Sequence, residues 1–553
     1  MTLALPDLRG GIGRLLFAAP FYRLTLGRRG PDELLRTPPD PWPGDAARGG
    51  AIARGASPAD GATPVAAGSD VWRPEGATAG ALAALHGFDW LRDLKASGGD
   101  AARKRARALT GEWIAAEAAL PTVAWRPDVM GRRLYAWLGQ HDFFCASADD
   151  VFRRTVYASL AQQARHLGRT LPVGVRGEGL FIALKALAVA GLALPGRNAW
   201  TARALARLER AALREILPDG GHLSRNPATQ VAVLRHLVDI RNALLGAGEK
   251  VPPFLVAAID RAAPVVRMLR HGDGRLALFN GAAEGEDWAI DMLLAQADAR
   301  GRAPASAPHS GWERLAAGRT VLLVDAGAPP AAGWDATAHV APLALEISAG
   351  RERLVTSCGA IADANEPWAS AQRSTAAHST LIVDDTNAAA TKASGVERRP
   401  TVTIHRREER DGDHWLDLAH DGYIGPYGLV HRRALWLSRS GDDIRGAETL
   451  IQVPGRGKPA RGWVLRFHLA PGVRASVAQD GQAVLLRLPS GRGWRLRARG
   501  GALGVGESVY LGGGAVRRTE QVIVTGTPGT PDGDGAVAHI QWGLQRIAAE
   551  GAR

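Results

Sequence analysis

The stretch Asp219-Gly220-Gly221-His222-Leu223-Ser224-Arg225-Asn226-Pro227-Ala228-Thr229-Gln230 connects two segments in which apolar residues recur every three or four positions. That spacing predicts two helices, each with one buried stripe. Pro218 and the two glycines are typical of a helix end, and Asn226-Pro227 predicts a helix start. Asn would be the N-cap, and Pro would occupy the first helical position.

The same residues support a functional interpretation. A helix N-terminus attracts anions, and here it is flanked by His222 and Arg225, with Gln230 one turn into the helix. An acidic sugar would suit such a site. Asn226 is therefore either a structural cap or part of a binding site, and the sequence leaves both open.

Composition restricts the classes of function. The 553 residues exceed one hydrophobic core and indicate roughly two to four domains. The net charge is +13, and 62 of the 68 basic residues are arginine, whose guanidinium group binds carboxylates and sulfates in a bidentate fork. A GC-rich genome would also explain the arginines. Neither zinc-finger spacing nor an aromatic-basic RNA signature is present in the sequence, so we expect no nucleic-acid partner.

The sequence also indicates a cellular location. The two cysteines, Cys145 and Cys358, do not form a disulfide framework. The N-terminus does not match a secretory signal, and no apolar run reaches the ~20 residues of a membrane span. We therefore expect a cytoplasmic protein without a transmembrane segment, with peripheral association to the envelope left open.

The periodicity changes once along the chain and predicts an α+β multidomain fold. Residues 1–66 are rich in Pro, Gly and Ala and predict an irregular N-terminal arm. Residues 67–303 carry nine or more helical segments joined by short loops, among them predicted helices over 77–96 and 129–144, which favours an (α/α) toroid. Residues 304–553 alternate with period two, as in half-buried antiparallel strands, and predict a large β-sandwich.

This organisation, with the Asp219–Pro227 motif in the helical part, resembles the heparinase II/III family. Further matching motifs lie in the predicted sandwich: Ala338-His339, Pro342 to Glu346, Arg373 to Thr380, His420 to Tyr423, and His431-Arg432-Arg433. The resemblance extends over roughly residues 70–520. Family members are polysaccharide lyases that act on uronate-containing chains such as heparin, heparan sulfate or alginate.

The resemblance implies β-elimination from a uronate. That reaction needs a group that neutralises the C6 carboxylate, a base that takes the C5 proton, and an acid that protonates the leaving oxygen. For these roles we predict His222, Asn226, His339 and Tyr423 as catalytic residues. We predict Arg225, Gln230, Arg373 and His378 as substrate-binding residues. The expected partner is an acidic polysaccharide or oligosaccharide.

Several positions depart from the family pattern. The Asn-His pair expected near Val173 to Leu180 is absent, leaving Arg176 or Asn226 as the neutralising group, and Thr229 occupies the position of the family's tyrosine. The family's metal ligands align with His339, Ala341, Ser357 and His378. Two histidines without the carboxylates make a poor zinc site, although Cys358 is a candidate substitute. We therefore predict no resident metal, with zinc at His339 and His378 as the alternative.

Two functions remain after this comparison. The first is a lyase that cleaves a uronate-containing polysaccharide. The second is a non-catalytic protein on the same fold, which binds acidic carbohydrate or assists envelope assembly. The retained His222, His339 and Tyr423 favour the lyase, whereas the missing Asn-His pair and Thr229 favour the second.

Overall fold

The computed structural model describes residues 22–27, 29–65, 69–117, 121–361, 366–392, 395–478 and 481–547. The first part of the predicted N-terminal arm, residues 1–21, lies outside this set. No helix among the described residues is long and apolar enough to cross a membrane.

Helices dominate the first half of the chain. In order, they are α1 (Ala46–Ala53), α2 (Ala79–Gly87), α3 (Leu91–Ser97), α4 (Gly99–Ala116), α5 (Pro127–Gly139), α6 (His141–Phe144), α7 (Asp150–Thr170), α8 (Glu178–Ala193), α9 (Asn198–Glu215), α10 (Pro227–Gly246), α11 (Pro253–Met268) and α12 (Asp287–Gln296). Short 3-10 turns lie at Tyr22–Leu26 and Thr122–Trp125.

Two of the helices predicted from periodicity are each divided in two. The predicted helix over 77–96 breaks after α2, because Phe88 adopts a left-handed backbone conformation with φ of 61°. The predicted helix over 129–144 breaks at Gln140, whose φ and ψ of −105° and 10° are not helical. Both breaks depend on a single residue's backbone angles, which hydrophobic periodicity does not encode.

The predicted irregular arm contains more structure than expected. Helix α1 is capped by Asp45, whose side chain accepts from the backbone of Ala47 and Arg48. Trp42 is buried, and its indole N–H donates to the Asp239 carboxylate at 2.8 Å. This segment is therefore an ordered part of the helical packing.

The second half of the chain is antiparallel β-structure. Its strands are β1 (Ser306–Ala307), β2 (Trp312–Ala317), β3 (Thr320–Asp325), β4 (Leu345–Ala349), β5 (Glu352–Thr356), β6 (Leu381–Val383), β7 (Ala390–Lys392), β8 (Gly395–Arg398), β9 (Val402–Arg410), β10 (Asp413–Tyr423), β11 (Leu429–Leu437), β12 (Asp443–Gln452), β13 (Trp463–Leu469), β14 (Arg474–Ala478), β15 (Ala483–Arg487), β16 (Gly493–Arg499), β17 (Ala502–Tyr510), β18 (Arg517–Gly526) and β19 (Ala536–Arg546). Two short helices, α13 (Glu366–Ala371) and α14 (Ile424–Tyr427), and a 3-10 turn at Thr375–Ala377 interrupt them.

Two large sheets form the sandwich. One has the order β1-β2-β3-β4-β5-β13-β18-β17, with β6 also paired to β13, and the other has the order β14-β15-β16-β19-β12-β11-β10-β9. Their inner faces share one hydrophobic core, to which Leu322 and Leu465 contribute from the first sheet and Leu435 and Leu544 from the second. The predicted fold class, a helical toroid followed by an antiparallel sandwich, is confirmed.

The prediction of half-buried strands is wrong for β3, β4 and β6, in which every residue is buried. In β4 the buried residues include the polar Glu346 and Ser348. These two side chains bind the ring of His271, with Glu346 Oε2 2.8 Å from Nε2 and Ser348 Oγ 3.1 Å from Nδ1. In β4, the polar residues therefore lie on a buried, hydrogen-bonded face and not on a face exposed to solvent.

The described chain divides into two compact units. The helical unit is Met1–Arg214 with Ala232–Ile259, and the β unit is Glu215–Val231 with Asp260–Arg553. The Asp219–Gln230 connection therefore belongs to the β unit, although it follows a helix. The predicted boundary at residue 303 follows the change of secondary structure and differs from this division.

A buried ion pair lies inside the sandwich. The Glu448 carboxylate accepts from Arg433 Nε at 2.8 Å, from Trp542 Nε1 at 3.0 Å, and lies 2.7 Å from His431 Nε2. Burial alone would raise the pKa of Glu448, but Arg433 and His431 lower it to about 2. The carboxylate therefore stays ionised, in contact with Arg433, Trp542 and His431.

The Trp542 ring lies directly over a glycine on the adjacent strand. A methyl group on Gly446 would be 2.1 Å from Trp542 Cε2, so Gly446→Ala must displace a ring that also binds Glu448. We expect a loss of about 1–3 kcal/mol in the free energy of unfolding, measured by thermal and denaturant melts. Gly543 lies on β19, the strand that also carries Trp542, and a methyl group there meets only Ile444 O at 3.9 Å. Gly543→Ala should therefore melt like the wild type. Equal melting of the two variants would contradict this packing.

Candidate functional site

The Asp219–Gln230 connection is closed by Gln230. Its Oε1 accepts from the backbone N–H of His222 at 2.7 Å, and its Nε2 donates to Gly220 O at 2.9 Å and Ala262 O at 3.1 Å. Gly220 has φ of 89°, and a Cβ there would lie 1.9 Å from Arg261 O. The loop therefore requires glycine at this point, and the predicted substrate-binding Gln230 is occupied by the loop itself.

Asn226 is the N-cap of helix α10, as the sequence predicted. Its Oδ1 accepts from the N–H groups of Ala228 and Thr229 at 2.8 and 3.1 Å, and the helix begins at Pro227. Its Nδ2 donates to Asn280 O at 2.8 Å. Both ends of the amide are therefore engaged within the protein.

Arg225 binds backbone carbonyls and one carboxylate. Nε donates to Ser310 O at 2.6 Å, and Nη2 donates to Gly311 O at 3.0 Å and to the Asp325 carboxylate. Nη1 donates to the carbonyls of Gly327 and Ala328. These contacts use all five N–H groups of the guanidinium, which also stacks on the Trp312 ring at 4.7 Å.

Asn280 joins these residues to the sandwich, and sequence reasoning missed it. Its Nδ2 donates to Arg225 O at 3.1 Å and Asp325 Oδ2 at 3.4 Å, while its Oδ1 accepts from His339 N at 3.2 Å. Its φ of 52° is left-handed, which asparagine tolerates better than most residues. The dipeptide Asn280-Gly281, a common turn signal, was the available indication.

His339 is held by that turn. Its Nδ1 lies 3.0 Å from the N–H of Asn280, and its Nε2 lies 2.8 Å from the N–H of Gly281. A neutral imidazole has one acceptor nitrogen, so one contact is a hydrogen bond and the other opposes it. Burial, with His378 and Arg373 nearby, lowers the pKa of His339 well below its usual range. Neither ring nitrogen is directed to solvent.

His378 packs on His339, with ring centroids 4.2 Å apart. Its Nε2 lies 3.2 Å from Gln372 O, and its buried Nδ1 has no hydrogen-bond partner among the described residues. Burial lowers the pKa of His378 to about 3, so the ring is neutral at physiological pH.

The zinc site implied by the family does not fit these side chains. Both nitrogens of His339 face backbone N–H groups, and Ala341 and Ser357 supply no carboxylate. Across the described residues, no group of three or more His, Cys, Asp or Glu side chains is placed to hold a metal ion. Cys358 lies instead 3.6 Å from His468 Nδ1, and burial raises the pKa of its thiol to about 12.

Tyr423 does not have the placement that an acid or base requires. The side chain is fully buried at the end of β10, and its hydroxyl donates to Leu381 O at 3.0 Å. Burial raises the pKa of Tyr423 well above its usual range. The phenol is therefore a core residue with a satisfied hydroxyl, which does not suit its predicted catalytic role.

Arg373 is similarly engaged. Nε donates to Ala338 O at 3.0 Å, Nη1 to Lys392 O at 3.2 Å and Nη2 to Gly395 O at 2.8 Å. The side chain holds three separate segments of backbone. Its predicted role in substrate binding stays a prediction, since these three contacts are all to the protein's own backbone.

His222 uses only one of its two ring nitrogens in a hydrogen bond with the described residues. Its Nδ1 lies 2.9 Å from Ser224 Oγ, and its ring packs edge-on against Trp334 with centroids 5.7 Å apart. Its Nε2 makes no hydrogen bond with the described residues and lies 3.6 Å from Glu215 Oε2. The imidazole is nearly completely buried.

The predicted residues therefore form one buried network and several separate contacts. Asn280 links Arg225, Asn226 and His339, and His378 packs on its edge. Tyr423 and Arg373 make no hydrogen bond to the side chains of this network. Such an arrangement fixes the backbone of the loop but offers little free hydrogen-bonding capacity for chemistry.

The buried histidines make stability depend on pH. His378 is neutral in the fold but binds a proton below pH ~6.5 when unfolded, so stability falls as pH drops from about 6.5 toward 3. In denaturant melts across this window, His378→Gln should reduce the slope of unfolding free energy against pH by up to about 1.4 kcal/mol per unit. The exposed His309→Gln is the control and should keep the wild-type slope. A His378→Gln slope equal to the wild type would contradict the neutral buried ring.

Comparison with known proteins places this geometry in a family. Residues 299–542 match the family described as Heparinase II/III-like, C-terminal. The chain is 33% identical to the FtsZ-localized protein C of Caulobacter vibrioides, over 98% of this chain and 95% of that protein.

Solved structures agree on the fold. The chain is similar to heparinase III, with a TM-score of 0.72 and 14% identity over 99% of this chain and 93% of that one. It is also similar to the heparan sulfate lyase HepC of Pedobacter heparinus, with a TM-score of 0.61 and 14% identity over 98% and 89% of the two chains. The chondroitin AC lyase of Streptomyces coelicolor, solved with chondroitin sulphate, gives a TM-score of 0.53 at 13% identity over 99% and 83%. The protein has the fold of these polysaccharide lyases, and the chain belongs to the heparinase II/III family.

Proposed function

We propose that this protein is a non-catalytic member of the family that works as a binding and assembly protein together with FtsZ. The observation that carries the proposal is the use of the predicted catalytic side chains in internal contacts. Asn226 caps a helix, His339 faces two backbone N–H groups, and Tyr423 donates to a core carbonyl.

The chemistry of β-elimination explains why these contacts matter. The carboxylate of the uronate must be neutralised before its C5 proton is lost, which requires donors with free N–H groups. Arg225 has used all five of its N–H groups on the protein, and the Asn226 amide donates to Asn280 O. Neither side chain is available for this role without breaking a buried network.

The residues predicted to transfer protons, Tyr423 and His339, are also engaged within the protein. A base must reach the substrate and hold a pKa near the working pH. Burial removes Tyr423 from solvent and shifts the pKa of both Tyr423 and His339 away from neutrality. Thr229, at the position of the family's tyrosine, supplies no substitute because an aliphatic hydroxyl is too weak an acid.

The likeness to FtsZ-localized protein C supports the assembly role. That relative matches nearly the whole of this chain at 33% identity. We propose the same localisation for this protein, in agreement with the expected cytoplasmic location. A net charge of +13 favours an acidic partner, and an acidic carbohydrate is the second partner consistent with the fold.

A lyase activity remains the second candidate, and His222 is the residue that favours it. Its Nε2 makes no hydrogen bond among the described residues, whereas the Asn226 amide nitrogen and both nitrogens of His339 contact protein groups. Glu215 Oε2 lies 3.6 Å from His222 Nε2.

An ultraviolet assay separates the two candidates. β-Elimination creates a carbon–carbon double bond conjugated to the uronate carboxylate, which absorbs in the ultraviolet. With heparan sulfate, alginate, hyaluronan and chondroitin sulfate, we expect no absorbance growth from this protein, while heparinase III on heparan sulfate serves as the positive control. Growth that falls by about 10²-fold or more in His222→Gln would reject the non-catalytic proposal and assign the base.

Localisation tests the assembly role directly. A fluorescent fusion produced in Caulobacter vibrioides should coincide with FtsZ, because the relative from that organism carries this localisation in its name. The His222→Gln fusion should behave identically, since no catalysis is involved. Purified protein should also co-sediment with FtsZ polymers, less so at high salt. Diffuse fluorescence beside an intact FtsZ structure, together with no co-sedimentation, would exclude the proposal.

A further inference from the structure

A polar cavity of about 320 Å³ lies within the β unit, beside the turn His271 to Gly274. It is formed by the end of α11, by β2, by α12 and by the turn between β4 and β5. Among the described residues that line it, Ala303 alone has an apolar side chain. The charged lining residues are Arg267, Arg270, Arg314, Arg351, Asp273, Asp287 and Asp291.

The three aspartates are each neutralised by an arginine. The pairs are Asp291 with Arg270 at 2.7 Å, Asp287 with Arg351 at 3.4 Å and Asp273 with Arg353 at 2.8 Å. The pairing leaves two cavity arginines, Arg267 and Arg314, without a carboxylate. The cavity is therefore positively charged despite its acidic residues.

The guanidinium groups of Arg314 and Arg267 donate to backbone carbonyl oxygens. Arg314 Nη1 donates to Met268 O and Arg270 O, both at 2.8 Å, and Arg267 Nη2 donates to Ala299 O at 2.5 Å. Burial lowers the pKa of Arg314 to about 10, and no anionic side chain opposes that shift. A half-buried guanidinium without a counter-charge is stabilised when a ligand supplies that charge.

A purely structural explanation accounts for part of this arrangement. Met268 is the last residue of α11, so Arg314 Nη1 satisfies carbonyls at a helix end, where cations are stabilising. That contact occupies one nitrogen of the three. Arg314 and Arg267 both line the cavity, and neither forms an ion pair with a carboxylate in the described part of the chain.

We propose that this cavity binds a compact oxyanion, a phosphate or sulfate group, through Arg314 and Arg267. Guanidinium groups bind such anions by paired N–H donors, and two of them would balance a doubly charged group. Because little of the cavity lining is apolar, a polar ligand is favoured, such as a phosphorylated metabolite or the sulfated end of a carbohydrate. The site is separate from the Asp219–Gln230 network and does not depend on the assembly role.

Thermal melts and titration calorimetry of the full chain test the site. Inorganic phosphate and sulfate should raise the melting temperature saturably below about 10 mM, whereas sodium chloride of equal ionic strength should not. Arg314→Gln and Arg267→Gln should each weaken phosphate binding at least about tenfold, because each removes one pair of donors. Arg314→Lys keeps the charge and tests the fork geometry if the glutamine variant folds poorly.

Arg300→Gln is the matched control. Arg300 follows Ala299 but is exposed, pairs with Asp298 and does not line the cavity, so this variant should bind phosphate like the wild type. Tighter binding of glucose 6-phosphate than of phosphate would assign a small metabolite, and tighter binding of heparin oligosaccharides would assign a sulfated polymer. Absence of saturable binding, or equal binding by the wild type and both glutamine variants, would overturn the proposal.

Discussion

The guanidinium group of Arg225 is the interaction on which the connection between helices α9 and α10 depends. It is nearly completely buried and donates to four carbonyls and the Asp325 carboxylate. Its backbone has φ of 51°, a left-handed conformation that a residue adopts only when its surroundings require it. Five hydrogen bonds to fixed partners meet that requirement. Losing them would leave several buried carbonyls without donors, each a significant cost.

This constraint extends to the neighbouring residues. Arg225 fixes the position of Asn226, whose side chain caps α10 and reaches Asn280. Asn280 in turn presents its own N–H to His339. Because Arg225, Asn226 and Asn280 are hydrogen-bonded to one another or to the backbone, changing one of them for chemistry would leave a buried partner unpaired. The network therefore stabilises the fold, and it supports the proposed non-catalytic function.

Local signals in the sequence predicted the fold well. The change of period from 3.6 to two located the change from helices to strands, and Asn226-Pro227 correctly predicted the start of α10. The helix breaks at Phe88 and Gln140 were missed because backbone angles at single residues leave hydrophobic periodicity unchanged. The burial of Glu346 was missed because its partner, His271, is distant in sequence. Pairing of polar residues across the fold is not visible in a periodic pattern.

Residue type alone does not distinguish a catalytic role from a structural role at these positions. Histidine, arginine and tyrosine are the residues that β-elimination needs, but they are also the side chains best able to bridge separate backbone segments inside a protein. Arg373 holds three carbonyls and Tyr423 one, so the motif that suggests chemistry also has a structural explanation. A catalytic side chain differs from these by leaving a donor or acceptor unsatisfied toward solvent. By contrast, the guanidinium groups of Arg314 and Arg267 line a polar cavity without a carboxylate partner among the described residues, which is an arrangement that an anionic ligand can complete.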